Sequence, residues 1–372
     1  MRINYSLLCV LFPMMLFSQD PTITPLDLGQ KAPDFKLPAT DGKNYTLGDF
    51  DQYQVLAVIF TCNHCPTAQA YEDRIIQMVT EYEPKGVGFV AISPNDPKAI
   101  SLSELGYSDL NDDLDDMKVR AREKGYNFPY LYDGDHQEAS MAYGVVATPH
   151  VFIFDQERLL RYRGRIDDTE NPYIEPRRQD MRLAMDALLE GEEISEPLTK
   201  TFGCSTKWAW KNEYVAKEKE TWANEEVSVT GLSLEDVPEL VANKGDKLRL
   251  INIWATWCGP CIIEFPDFVD IYRMYRNRDF ELISVSTDKI GKKDKVLELL
   301  QKFEASNLNY RYTGDDIYPF IEAIDPEWQG ALPYTMLIAP GGKIIYKIQG
   351  SIDPADLKKR IVDQLGRFYA DD

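Results

Sequence analysis

Leu248-Arg249-Leu250-Ile251-Asn252-Ile253-Trp254-Ala255-Thr256-Trp257-Cys258-Gly259-Pro260-Cys261 is the stretch on which the fold turns. Its first half is an almost unbroken apolar run, the pattern of a strand buried on both faces. Its second half stops that run and sets Cys258 and Cys261 on either side of Gly259-Pro260. Residues 262–274 then read as a helix, so the strand delivers both thiols to a helix N-terminus. Partial positive charge and free N–H groups at that point lower a thiol's pKa, and the thiolate is the nucleophile. Cys258 is therefore the candidate nucleophile. Cys261 is placed to attack a mixed disulfide from within and release the product. Gly259-Pro260 leaves no bulk over the sulfur, and Trp257 shields one flank. Two buried structural cysteines are the alternative, but a loop this short staples nothing.

Working outward, residues 280–285 read as the next buried strand and 295–303 as a helix. Thr335 to Ile338 and Ile344 to Ile348 form a hairpin around Gly341-Gly342, and residues 353–368 a closing helix with Pro354 in its first turn. The first half of the chain repeats this order. Residues 54–60 are a continuous apolar run ending in Phe60-Thr61-Cys62-Asn63-His64-Cys65-Pro66, followed by helical spacing over 67–83. A strand at 87–92, an acidic segment 109–116, a helix to Lys124, strands at 130–132, 151–154 and 159–163, and a helix at 181–189 complete it. Strand, helix, strand, helix, hairpin and helix, twice over, predicts an α/β chain of two folds in tandem, each a mixed central sheet flanked by helices. The domains expected are 19–210 and 225–372, joined by a linker at 211–224, although Trp208, Trp210 and Trp222 argue that parts of the joining region pack.

The residues around the second cysteine pair resemble the active site of thioredoxin-fold proteins, from Trp254 to Pro266. Glu264-Phe265-Pro266 is similar to the exported thioredoxin-like reductases that serve cytochrome c maturation. That resemblance, over residues 225–372, implies that Glu264 lies near the cysteines and tunes their proton transfers; read from the residues alone, it is equally a surface helix glutamate. It also implies a cis-proline facing the disulfide and holding the substrate backbone, a place matched by Pro333.

Residues 32–167 resemble the peroxiredoxin-like branch of the same superfamily (AhpC/TSA, redoxin). The resemblance rests on Ala32-Pro33-Asp34-Phe35, Cys65-Pro66-Thr67, and Tyr143-Gly144-Val145 ahead of Thr148-Pro149. Peroxiredoxins place a threonine three residues before the peroxidatic cysteine, where Cys62 stands here. The departure favours dithiol exchange through Cys62 and Cys65, with Cys65 at the peroxidatic position keeping a thiol peroxidase as the alternative. Pro149 is the matching cis-proline candidate. His150 after it is either near the cysteine pair or an exposed strand residue. His64, if charged, would stabilise the Cys62 thiolate and make the pair more oxidising. Gly203-Cys204-Ser205-Thr206-Lys207-Trp208 is similar to a segment with which proteins of this branch continue. Cys204 then has three readings: a buried thiol, a third redox sulfur, or an intermolecular link.

The 372 residues carry 41 basic and 61 acidic side chains, a net charge of −20 that repels nucleic acid and anionic membranes. Arg2 and the apolar run 7–17 read as a signal peptide over residues 1–18, carrying Cys9, which makes the mature chain soluble, exported and most simply periplasmic. No later stretch reads as membrane-inserting. One zinc shared by the two pairs is disfavoured by their separation, and the calcium-loop spacing is absent around Asp133, Asp135 and Asp167. The expectation is a thiol-disulfide oxidoreductase with no cofactor and no metal. It reduces or isomerises protein or peptide disulfides and is recharged by a membrane-bound or exported electron donor. A non-enzymatic adaptor that captures partners as mixed disulfides is the third reading.

Overall fold

A computed structural model describes residues 21–369, and the signal-peptide reading of residues 1–18, Cys9 included, lies outside them. The first unit opens with a short hairpin, β1 (Lys36–Pro38) and β2 (Asn44–Thr46), turning at Asp41-Gly42. The apolar run becomes β3 (Val55–Phe60), and α1 (Pro66–Tyr82) follows the first cysteine pair. Then come β4 (Val87–Ser93), α2 (Leu114–Lys124), β5 (Tyr130–Tyr132), α3 (Glu138–Tyr143) and the two-residue β6 (Ala147–Thr148). The unit ends with β7 (His150–Phe154), β8 (Leu160–Gly164), α4 (Asp180–Glu190) and β9 (Cys204–Ser205).

Its sheet runs β5-β4-β3-β7-β8, parallel from β5 to β3 and antiparallel across β7 and β8. Strand side chains alternate between faces, so β3 feeds two cores. Val55, Ala57 and Ile59 pack with Tyr71, Ile75 and Met78 of α1, while Leu56, Val58 and Phe60 pack with Phe35, Phe50 and Tyr143. Both faces being covered is why this strand reads as continuous rather than alternating.

Helix α5 (Asn212–Ala223) occupies the stretch read as a linker, with Trp222 buried beneath the guanidinium of Arg273, 4.9 Å from its ring. The second unit follows with β10 (Thr230–Leu232), α6 (Val237–Ala242), β11 (Leu248–Trp254), α7 (Gly259–Tyr275), β12 (Phe280–Ser286) and α8 (Lys293–Lys302). It closes with β13 (Leu308–Tyr312), α9 (Tyr318–Ile324), β14 (Tyr334–Ile338), β15 (Ile344–Gln349) and α10 (Pro354–Leu365). The sheet order β10-β13-β12-β11-β14-β15 again places the cysteine-bearing strand in the middle, parallel to β12 and antiparallel to β14. Asp353 caps α10 by accepting the N–H groups of Ala355 and Asp356, and Pro354 fits its first turn.

The two units touch. Ile100 and Leu105 of the first insert among Phe268, Ile271, Met274 and Ile361 of the second. The Tyr275 hydroxyl donates to the Ser108 carbonyl at 2.9 Å, Arg278 lies 3.9 Å from the Tyr107 ring centroid, and Arg367 pairs with Asp109 at 2.6 Å. Two buried aliphatic side chains contribute roughly 1.5–3 kcal/mol each. The exposed Lys359–Glu123 pair across the same junction contributes about 0–1 kcal/mol. Docking is therefore carried by apolar burial, with the ion pairs fixing register. Among the described residues no helix is long and apolar enough to cross a membrane.

Candidate active sites at the two cysteine pairs

In the second unit Cys258 is the N-cap of α7 and its Sγ accepts the Cys261 N–H at 3.3 Å. The two cysteines are joined as a disulfide. Trp257 is 70% exposed, whereas Cys258 is only 5% exposed and Cys261 is buried. Beside them opens a cavity of about 1090 Å³ lined by Trp257, Lys289, Ile290, Asp315, Trp328 and Leu332. The Leu332-Pro333 peptide bond is cis.

Glu264 lies one turn beyond Cys261 on the same face of α7, since residues three apart on a helix are neighbours. It is buried: Oε2 accepts the Ile352 N–H at 3.0 Å, and Oε1 has no partner. Burial, aided by the charge of Asp267 and opposed by the Ile352 N–H, pushes its pKa up to about 7. A carboxyl in this range can exchange a proton with a nearby thiol at neutral pH. The same shift has a stability sign. The folded chain favours the protonated acid, so Glu264 costs stability as pH rises from the unbound value of 4.5 through about 7. Glu264→Gln is expected to be more stable than the parent at pH 8 and to remove an inflection near pH 7 in the reduction potential of the pair. An inflection that survives the substitution, or a less stable variant at pH 8, would contradict this role.

The first pair is built differently. α1 begins at Pro66, so Cys65, the second cysteine of its pair, stands at the helix N-cap, where the second unit places its first cysteine. Burial pushes the Cys65 thiol up. The Cys204 and Cys62 thiols bonding to it, the His64 charge and the Ala68 N–H outweigh burial and hold it well below the ordinary thiol value. The Thr148 carbonyl, 3.4 Å from Cys65 Sγ, works against ionisation because it can only accept a proton. Cys62 is pushed well above the ordinary value by burial, by its bond to Cys65 and by the charge of Asp112. Its Sγ lies 3.1 Å from Thr148 Oγ1. The N-cap position and the opposite directions of the two shifts favour ionisation at Cys65 over Cys62, and the His64 charge supports it there.

His64 is held by Asp112, which neither the spacing nor the motif indicated. Its Nδ1 lies 2.7 Å from Asp112 Oδ2, and Asp112 Oδ1 accepts the N–H groups of Asn63 at 2.8 Å and His64 at 3.0 Å. Asn95 Nδ2 donates to Oδ2 at 2.7 Å. Burial lowers the His64 pKa, but the Asp112 charge and hydrogen bond more than compensate, so the net shift is upward. Cys62 Sγ, a His64 ring nitrogen and an Asp112 oxygen lie within 4.8 Å of one another, the donor group a metal would need. Asp112 is already committed to four hydrogen bonds, while His64 Nε2 is buried without a partner.

His150 is buried on β7 opposite Phe60, its ring 4.4 Å from that of Phe152, and makes no bond to a cysteine. Burial, with the charge of Arg163, pulls its pKa down to about 3, so it stays neutral. The Thr148-Pro149 bond is cis. The segment after α4 is stitched onto the first unit: Lys207 N–H donates to Asn95 Oδ1 at 2.8 Å, and Asp96 N–H to the Lys207 carbonyl at 2.9 Å.

Comparison with known proteins follows the same division. The AhpC/TSA family model matches residues 28–163 and the Redoxin model residues 235–364. The chain is 29% identical to the thiol-disulfide oxidoreductase ResA of Oceanobacillus iheyensis, over 35% of this chain and 59% of the relative. It is 30% identical to ResA of Bacillus cereus, over 37% of this chain and 75% of the relative. The chain thus spans little more than half the length of the first of these relatives. A solved hypothetical protein of Sinorhizobium meliloti is 32% identical with a TM-score of 0.45, over 50% of this chain and 97% of that one. With one family model on each half and a relative 30% identical over three quarters of its length, the chain belongs to the thioredoxin superfamily and carries two domains of that kind in tandem.

Proposed function

We propose that the chain is an exported thiol-disulfide oxidoreductase that reduces or isomerises disulfides through two Cys-X-X-Cys pairs. The observation that carries this reading is Cys258 at the N-cap of α7, taking the Cys261 N–H beside an open cavity. Cys258 attacks a client disulfide, and Cys261 then attacks Cys258 Sγ and releases the client as a thiol. Clients are proteins or peptides. Trp257, Ile263, Ile290 and Tyr318 stand exposed by 66–81% in and near the cysteine face, an apolar rim suited to an extended chain. Domains at 19–210 and 225–372 serve as two stations. The Gly-Pro pair is the more reducing, so electrons pass from the second to the first. Potentials of related folds run from about −270 to about −120 mV.

A second reading, thiol peroxidase at Cys65, is supported by the N-cap position of that sulfur. Peroxide consumption by a Cys258→Ser variant separates the two. Exchange itself is tested with Cys261→Ser, incubated with an oxidised peptide. The variant is expected to accumulate a mixed disulfide at Cys258, because the release step is missing. Failure to trap any adduct would sink the exchange reading. Equal trapping by the wild-type chain, without turnover, would favour an adaptor.

A further inference from the structure

Three sulfurs meet on Thr148. Its Oγ1 lies 3.1 Å from Cys62 Sγ, and its carbonyl oxygen lies 3.4 Å from Cys65 Sγ. Through the antiparallel pairing of β6 with β9, Thr148 stands directly opposite Cys204. Close approach of the two short strands depends on Gly203, whose φ is +127° and whose missing Cβ would meet the Thr148 carbonyl oxygen at 2.1 Å. Cys204 packs onto the buried group of Cys62, Cys65 and Ala68. It differs from its neighbours in access. Cys62 and Cys65 are 3% and 0% exposed, whereas Cys204 is half-buried between the exposed Gly203 and Ser205.

We propose that Cys204 is a third exchanging thiol, which takes the disulfide from the buried Cys62–Cys65 pair and presents it to solvent-borne dithiols. The inference rests on the dithiol-exchange reading of the first domain and deepens it. The Cys204 thiolate attacks Cys65 Sγ, and a Cys65–Cys204 bond forms as the Cys62–Cys65 bond breaks. The electron pair of the broken bond leaves on Cys62, which takes up a proton. One disulfide is exchanged for another, so no oxidant or reductant is consumed. An external protein dithiol then attacks the accessible Cys204 Sγ and releases Cys65 as thiolate, the form its helix N-cap favours. The second thiol of that partner attacks its own bonded sulfur, closing the partner's disulfide and releasing Cys204 as thiolate. The hydrogen bond to Cys65, followed by burial, raises the Cys204 pKa while Cys65 is free. That bond is lost once Cys65 is in a disulfide, which removes the largest of the causes that hold Cys204 protonated.

The test maps disulfides in the full chain after oxidation with oxidised glutathione, by alkylation, digestion and mass spectrometry. In the wild type both Cys62–Cys65 and Cys65–Cys204 bonds are expected, and in Cys62→Ser the Cys65–Cys204 bond alone. In Cys204→Ser, reduction of Cys62–Cys65 by a protein dithiol should slow by about tenfold or more, since access limits the attacked sulfur. Cys62–Cys65 as the only bond among the three sulfurs in the wild type, with no Cys65–Cys204 bond in Cys62→Ser, would overturn the proposal and leave exchange in the first domain standing. An unchanged reduction rate in Cys204→Ser would overturn it likewise. No disulfide among the three sulfurs would overturn both.

Discussion

Replacing Asp112 with alanine is expected to destabilise the first domain by about 3–5 kcal/mol, the cost of leaving one partner of a buried ion pair alone. Asp112 is fully buried, with His64 2% exposed beside it. Its carboxylate accepts the Asn63 and His64 N–H groups, the His64 ring and the Asn95 amide. Alanine strands two backbone donors and an imidazole away from water. It also removes the charge that raises the His64 pKa, so the imidazole goes neutral and the Cys65 thiolate loses support. Denaturant unfolding followed through each domain separately would read the first effect, and alkylation rate against pH the second. The pH window follows from the signs. Asp112 is depressed below 3.8, so its contribution is present above that value and is lost as pH falls through the folded pKa. His64 is raised above 6.5, so its contribution is present below that value and is lost as pH rises through the folded pKa. The pair contributes in full between pH 3.8 and 6.5. A variant as stable as the parent at pH 5 would contradict the anchoring role.

Cys258→Ser is expected to lower disulfide-exchange turnover by about three orders of magnitude or more, the scale on which loss of a nucleophile is felt. Serine fits the N-cap of α7 and can keep the Cys261 N–H satisfied, so the fold should be retained. What disappears is the sulfur whose thiolate is the nucleophile, for which a hydroxyl is no substitute. Cys62→Ser should cost less, because Cys65 holds the helix N-cap and its thiol is shifted down while that of Cys62 is shifted up. Reduction of a peptide disulfide, with circular dichroism as a control for folding, would measure both. Wild-type turnover in folded Cys258→Ser would place the chemistry elsewhere.

The long central elements were legible in the sequence because burial on both faces leaves an apolar run that tertiary contacts do not override. Leu248 to Trp254 was read residue for residue as β11, and 67–83 differs from α1 by one residue at each end. Several elements too short to carry a period escaped, among them β6 and β9, two residues each, and α6 and α9 of six and seven. So did the twelve-residue α5, whose mostly polar sequence reads as a linker. The convergence of Cys204 on Thr148 depends on that missed pairing and on a glycine whose φ no composition reveals. Asp112 was hidden for another reason. In an acidic run it reads as solvated surface, and only the folded chain shows that Asp109 pairs with Arg367 while Asp112 turns inward to His64. The shift of the N-cap from the first to the second cysteine was partly visible, since Pro66 directly after Cys65 suits the first position of a helix.

Equilibration against glutathione buffers tests most directly whether each cysteine pair is a working redox couple. Each pair would be titrated in a full-length chain whose other pair is changed to serine. A reversible disulfide is expected at both, with Cys258–Cys261 the more reducing. A pair that forms no reversible disulfide across the buffer range would contradict the claim for its domain.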